Sequence, residues 1–181
     1  MEIYRETFFK DKTLKNIVAW ISLNRDRLIG SAIFTKNKSL VSKLVSWVES
    51  LHCKNESFVP SHTGSIVEYK GEICLFDMKP PKAAIQNLAE YLFSTDDEFV
   101  LIMRDFDLDT KMFSSNVTYH IGEFYPYLSA IRSVMTKRQT KWVRHCSELH
   151  LRELQKQELF IDLNPEITPD ELYHVLLGEN K

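Results

Sequence analysis

Apolar residues recur along the chain at two spacings, one helical and one extended, and together they predict an α+β protein. Residues 14–23 place their apolar side chains on one helical stripe, with Thr13 at the N-cap position. A last helix is predicted from the capping box at Thr168 to Gly178, with Pro169 in its first turn. Further helices are predicted from Ser39, over 81–92, over 107–119, before residue 135 and over 143–159.

Strands are predicted where apolar residues run without helical spacing. The clearest case is a hairpin, in which residues 64–69 and 72–78 flank the two-residue turn Lys70-Gly71. Short buried strands are also predicted over 28–35 and 99–104.

These elements fit a small antiparallel sheet packed on helices. The chain shows no internal repeat and no linker, so residues 1–181 are expected to form one domain. Its core is expected at about 28–177, preceded by a helical extension over 1–27.

Composition excludes several classes of protein. The net charge is −2 and basic residues are spread along the chain, so no nucleic-acid partner is expected. No apolar run approaches the ~18–20 residues that cross a bilayer, and the charged N-terminus shows no signal peptide. Three scattered cysteines, Cys53, Cys74 and Cys146, form no disulfide framework, so a reducing, cytoplasmic location is expected.

Cys146 is the candidate nucleophile. It lies near the start of a predicted helix whose buried face also holds Val143, Leu149, His150 and Leu154. The free N–H groups at a helix start favour a thiolate and can hold an oxyanion on a substrate. A lone cysteine on an apolar helix face is nevertheless usually core packing, so a catalytic role requires a base.

His62 is the best-placed base among the six histidines. It precedes the hairpin, whose turn would place His62 opposite Lys79 and make Asp77 its diagonal neighbour on the same face. Asp77 would then orient the imidazole, although a slip of one residue would move it to the opposite face. Cys146, His62 and Asp77 are therefore predicted as nucleophile, base and orienting carboxylate.

The remaining histidines fit less well. His150 lies one turn beyond Cys146, beside the sulfur but away from the helix start where a substrate carbonyl would bind. With His145 it suggests a metal cluster, yet a structural zinc site needs four ligands and the chain has no Cys-x-x-Cys pair. Neither a metal nor a cofactor is expected.

The arrangement resembles the circularly permuted papain-like hydrolases of the NlpC superfamily, in particular the YiiX-like group. The similarity extends over about 28–177, and its motifs are Ser61-His62-Thr63-Gly64, Phe76-Asp77-Met78, Cys146-Ser147-Glu148-Leu149 and a Gly-x-x-Tyr-like element ending at Tyr127. Two positions depart from the family pattern, since Ser31 follows Gly30 where aspartate is common, and Asp77 replaces a frequent glutamate.

The resemblance implies a permuted papain-like fold and a thiol hydrolase that attacks an amide, possibly in a cell-wall peptide, or an ester. Tyr127, Ser61 and Ser147 are the residues expected beside the oxyanion or substrate, with a plain core role as the alternative for Tyr127. The substrate would be a peptide or a small acyl-bearing molecule. Two alternatives stay open: a lipid acyltransferase or thioesterase, and a binding or structural module with a silent site.

Overall fold

A six-stranded antiparallel sheet forms the centre of the computed structural model, which describes residues 2–36, 58–78, 81–124 and 146–178. The strands are β1 (Glu2–Arg5), β2 (Ala32–Lys36), β3 (His62–Tyr69), β4 (Glu72–Asp77), β5 (Ala84–Asn87) and β6 (Glu98–Met103). Their order across the sheet is β1-β6-β2-β3-β4-β5, and every neighbouring pair is antiparallel. The predicted α+β class with an antiparallel sheet is therefore confirmed.

Helices cover both faces of this sheet. The described residues form α1 (Glu6–Lys10), α2 (Leu14–Leu23), α3 (Arg25–Leu28), α4 (Leu88–Ser94), α5 (Thr110–Thr118), α6 (Cys146–Gln155) and α7 (Pro169–Leu177). Because side chains alternate along a strand, Ile66 of β3 packs with α1, α2 and α4, whereas Val67 packs with α5 and α6. None of these helices has both the length and the hydrophobicity needed to cross a bilayer.

The β3–β4 hairpin has the predicted turn and register. Tyr69 pairs with Glu72, and the ladder continues to Ser65 opposite Phe76. Both turn residues have positive φ, 51° at Lys70 and 83° at Gly71, as a type I′ turn requires. This register fixes which residues meet at the far end of the hairpin.

Local signals at helix ends are also confirmed. Thr13 accepts a hydrogen bond from the backbone N–H of Asn16. Thr168 and Glu171 form the predicted capping box, and α7 ends at Gly178 in the left-handed conformation. The predicted helices from Ser39 and before residue 135 lie outside the described residues.

Several predicted boundaries are wrong. Residues 2–5 form the edge strand β1 beside β6, so the extension over 1–27 is not purely helical. The strand predicted over 28–35 begins at Ala32, because α3 and a turn at Gly30, with φ of 84°, precede it. Finally, residues 84–87 pair with β4 and α4 begins only at Leu88.

Candidate active site

The His62–Asp77 contact lies where β3 begins and β4 ends. The ladder sets Asp77 two positions from direct opposition to His62, which is the predicted diagonal placement. The His62 Nε2 atom is hydrogen-bonded to the Asp77 carboxylate Oδ1, and both residues are buried. Since Nε2 is engaged by Asp77, Nδ1 is the ring nitrogen left to face another partner.

Cys146 is the other group that acts on the His62 ring. It is the first described residue of α6, a helix that packs against β3, and only 6% of its surface is exposed. The His62 imidazole is near enough to stabilise a Cys146 thiolate through charge and hydrogen bonding, and the nearby backbone N–H groups of Thr63 and Ser147 act in the same direction. The structure thus brings the three predicted residues together, with His62 between a carboxylate and a thiol.

The charges at this site favour a thiolate. Burial alone raises the pKa of Cys146, but the imidazolium of His62 and the hydrogen bonds to the sulfur outweigh it, so the pKa lies below its ordinary value. Burial likewise disfavours a charged His62, yet Cys146 and then Asp77 raise the pKa of His62 to about 10. The two groups titrate as a pair, and each charge favours the other, so the pair favours a thiolate beside an imidazolium.

Thr63 is a site residue that the sequence did not reveal. Its contribution is a main-chain N–H, which nearly every residue type offers, so no side-chain pattern marks it. Its position next to His62 in the Ser-His-Thr-Gly motif is the only available sign.

The three residues expected beside the substrate have different outcomes. The Ser147 hydroxyl donates to the Ile167 carbonyl at 2.5 Å, so only its main-chain N–H faces the sulfur. Ser61 hydrogen-bonds the Thr35 carbonyl through its N–H at 3.0 Å and its hydroxyl at 3.4 Å, which anchors the start of β3. Tyr127 lies outside the described residues, and its role stays a prediction.

Other candidate groups are engaged elsewhere. Cys74 is buried in the core, as predicted, and burial together with the charge of Glu72 raises the pKa of its thiol. His120 contacts Glu123 at 2.8 Å and His174 contacts Asp170 at 3.5 Å. Across the four described ranges, no three His, Cys, Asp or Glu side chains converge as a metal site would require.

Comparisons with known proteins add no family to this geometry. No protein-family model matches the chain, and no curated protein matches it either. The resemblance to permuted papain-like hydrolases therefore rests on the motifs quoted above and stays a prediction.

Proposed function

We propose that the protein is a thiol hydrolase that cleaves an amide or ester bond through an acyl-thioenzyme. The observation that carries this proposal is the position of the His62 imidazole, between the Asp77 carboxylate and the Cys146 thiol at the start of a helix. A nucleophile, a base and an orienting carboxylate in contact form the set that covalent acyl transfer requires.

The reaction follows from the charges of the resting site. The Cys146 thiolate attacks the substrate carbonyl carbon, a C–S bond forms, and the carbonyl oxygen takes up negative charge. Main-chain N–H groups at the start of α6 stabilise this oxyanion. His62 then gives its proton to the leaving nitrogen or oxygen as that bond breaks, which leaves Cys146 acylated.

Deacylation reverses the proton movement. Neutral His62 takes a proton from water, the resulting hydroxide attacks the thioester, and the acid leaves while Cys146 returns to the thiolate. Throughout both steps Asp77 holds the ring through Nε2 and favours its charged form.

Part of this proposal is that the fold is permuted papain-like. The chain order His62, Asp77, Cys146 supports it, as does an antiparallel sheet with the cysteine helix packed on one face. The free thiols of Cys74 and Cys146 suit a reducing compartment, in line with the expected cytoplasmic location.

The first test is alkylation of Cys146 by iodoacetamide across pH, read by mass spectrometry of its peptide. We expect Cys146 to react well below about pH 8, while Cys74 in the same sample reacts only at higher pH. His62→Gln should slow the reaction of Cys146 about tenfold or more at pH 6, since each unit of raised thiol pKa is about tenfold in thiolate.

Two variants make this test specific to the site. Asp77→Asn keeps the shape but removes the charge that favours imidazolium, so it should also slow alkylation, whereas Asp77→Glu should largely retain it. His174→Gln removes another buried histidine beside a carboxylate and should change nothing. An ordinary thiol profile for wild-type Cys146 would contradict the proposal.

A second test separates the alternatives. p-Nitrophenyl acetate should leave an acetyl group on Cys146 in the wild type and none at this position in Cys146→Ser. Release of the acetyl group to water fits a hydrolase, and faster release to an added alcohol or amine indicates an acyltransferase. No adduct together with a slow thiol at every pH would indicate a binding or structural module.

A further inference from the structure

We propose that the contact between His150 and Ser65 is a positioning contact, which sets α6 against β3 so that Cys146 stays at His62. This inference deepens the proposed function, on which it rests for its catalytic meaning. Neither residue touches the reacting atoms in the mechanism above.

The contact joins two distant parts of the chain inside the core. Ser65 Oγ and His150 Nδ1 are 2.8 Å apart, and the two residues are 85 positions apart in the sequence. His150 is 0% exposed and Ser65 2% exposed. A hydrogen bond shielded from water in this way fixes orientation more firmly than one at the surface.

The Ser65–His150 contact lies next to the approach of Thr63 to the Cys146 sulfur, because the spacings along α6 and β3 match. Cys146 and His150 are separated by one helical turn, a rise of about 6 Å. Thr63 and Ser65 are two residues apart on a strand, about 6.6 Å. Because Thr63 meets Cys146 and Ser65 meets His150, the two contacts lie side by side with matched spacing. A shift of α6 along β3 would therefore break both.

His150 is held from its other side as well. The ring of Phe113, on α5, lies 5.5 Å from the imidazole centroid at an angle of 74°. The imidazole is thus fixed between β3 and α5, and with it the rotation of α6 about its axis.

The choice of histidine here is not explained by packing. Among the described residues its Nε2 atom has no hydrogen-bond partner, which is unfavourable in a core where an aliphatic side chain would leave no polar atom unpaired. The Nδ1 bond to Ser65 is what histidine supplies and leucine cannot. Burial lowers the pKa of His150 to about 4, so this bond stays uncharged near neutral pH.

The test compares loss of this contact with loss of an equivalent one. Ser65→Ala and His150→Leu remove it, whereas His150→Asn keeps a polar atom near the Nδ1 position. Ser114→Ala is the matched control, because Ser114 on α5 accepts a hydrogen bond from the Glu68 N–H of β3 at 3.0 Å and does not contact α6 through that bond. The readouts are the pH profile of Cys146 alkylation, the NMR shift of the Thr63 amide, and the Tm.

We expect Ser65→Ala and His150→Leu to slow alkylation of Cys146 at pH 6 by about tenfold. This is smaller than the ~100-fold loss of rate that a displacement of a reacting group by about 1 Å can cause. The Thr63 amide should shift in both, while His150→Asn restores much of the wild-type profile. Ser114→Ala should lower Tm yet leave the alkylation profile and the Thr63 amide unchanged.

The inference is overturned if Ser65→Ala matches Ser114→Ala in the Thr63 amide shift. That shift reports the contact with sulfur whether or not the thiol is ionised, so it decides the positioning contact alone. An ordinary wild-type alkylation profile would instead overturn the proposed function.

Discussion

The protonation states of Cys146 and His62 determine how this pair changes the stability of the fold with pH. His62, with its raised pKa, stabilises the fold fully below 6.5 and loses that contribution as pH rises towards about 10. Cys146, with its lowered pKa, contributes above its ordinary value of 9.0 and loses that contribution as pH falls. Between the two ordinary pKa values, 6.5 and 9.0, a folded thiolate–imidazolium pair and the unfolded neutral pair hold the same number of protons. The pair therefore gives no pH slope across the neutral range.

His150 should give such a slope in acid. Its folded pKa of about 4 lies below the ordinary 6.5, so only the unfolded chain gains a proton between these values, and stability falls as pH falls. The full difference corresponds to about 3 kcal/mol. Urea unfolding of wild type and His150→Asn at about pH 4.5 and about pH 7 measures it, and the variant should lose less stability in acid. Equal losses would contradict this assignment.

Elements with local signals were the ones that the sequence predicted correctly. Thr13, the capping box at Thr168 and the turn Lys70-Gly71 act on neighbouring residues, so their effect can be read from a short segment. The hairpin register followed from that turn, and the His62–Asp77 contact followed from the register.

The sequence did not predict strands β1 and β5, because these strands form through pairing with other parts of the chain and not through local signals. Glu2–Arg5 is extended because it pairs with β6, almost 100 positions later, and Tyr4 packs on Trp20 with ring centroids 5.0 Å apart. Ala84–Asn87 follows a proline pair that suggested a helix, but Asn87, not the prolines, caps α4. The Ser65–His150 contact was missed for the same reason, since no spacing in the chain links the two residues.

A substitution in the hairpin turn should stabilise the fold without changing the candidate active site. Lys70 adopts φ of 51°, a conformation that costs most side chains about 1 kcal/mol or more but that asparagine accepts readily. Lys70→Asn should therefore stabilise the protein by about 0.5–1 kcal/mol and raise Tm by about 2 °C. Thermal unfolding measures the change, with Lys70→Ala as the control that gains nothing. A lower Tm in Lys70→Asn would show that the Lys70 ammonium over the Tyr69 ring, at 5.2 Å, matters more than the turn.

The two ends of the sheet carry different features. His62, Asp77 and Cys146 meet at one end, and a cavity of about 260 Å³ lies at the other, between the start of β2, the end of β6 and α7. Arg104 lines that cavity, and its guanidinium donates to the Ile29 carbonyl at 2.7 Å and to the carbonyls of Phe106 and Asp26. At this end of the fold, one side chain thus joins α3 and its C-cap residue to the segment that follows β6.

Arg104→Met should destabilise the protein because three carbonyls lose a charged donor. Hydrogen bonds to charged groups contribute about 1.5–3 kcal/mol each when buried, and partial exposure of Arg104 reduces the total to about 2–3 kcal/mol. Urea unfolding measures the loss, and Arg104→Lys should recover only part of it, since lysine cannot reach three acceptors in one plane. Alkylation of Cys146 should be unchanged. A slower thiol in Arg104→Met would mean that the two ends are coupled.

The order of the site residues along the chain also determines when the proposed site could assemble during synthesis. The ribbon that carries His62 and Asp77, only 15 positions apart, leaves the ribosome long before the sulfur does. In the proposed mechanism, a nascent polypeptide that stops short of residue 146 would have the base without the nucleophile that it serves. The proposed site would therefore be complete only after Cys146 has been synthesised.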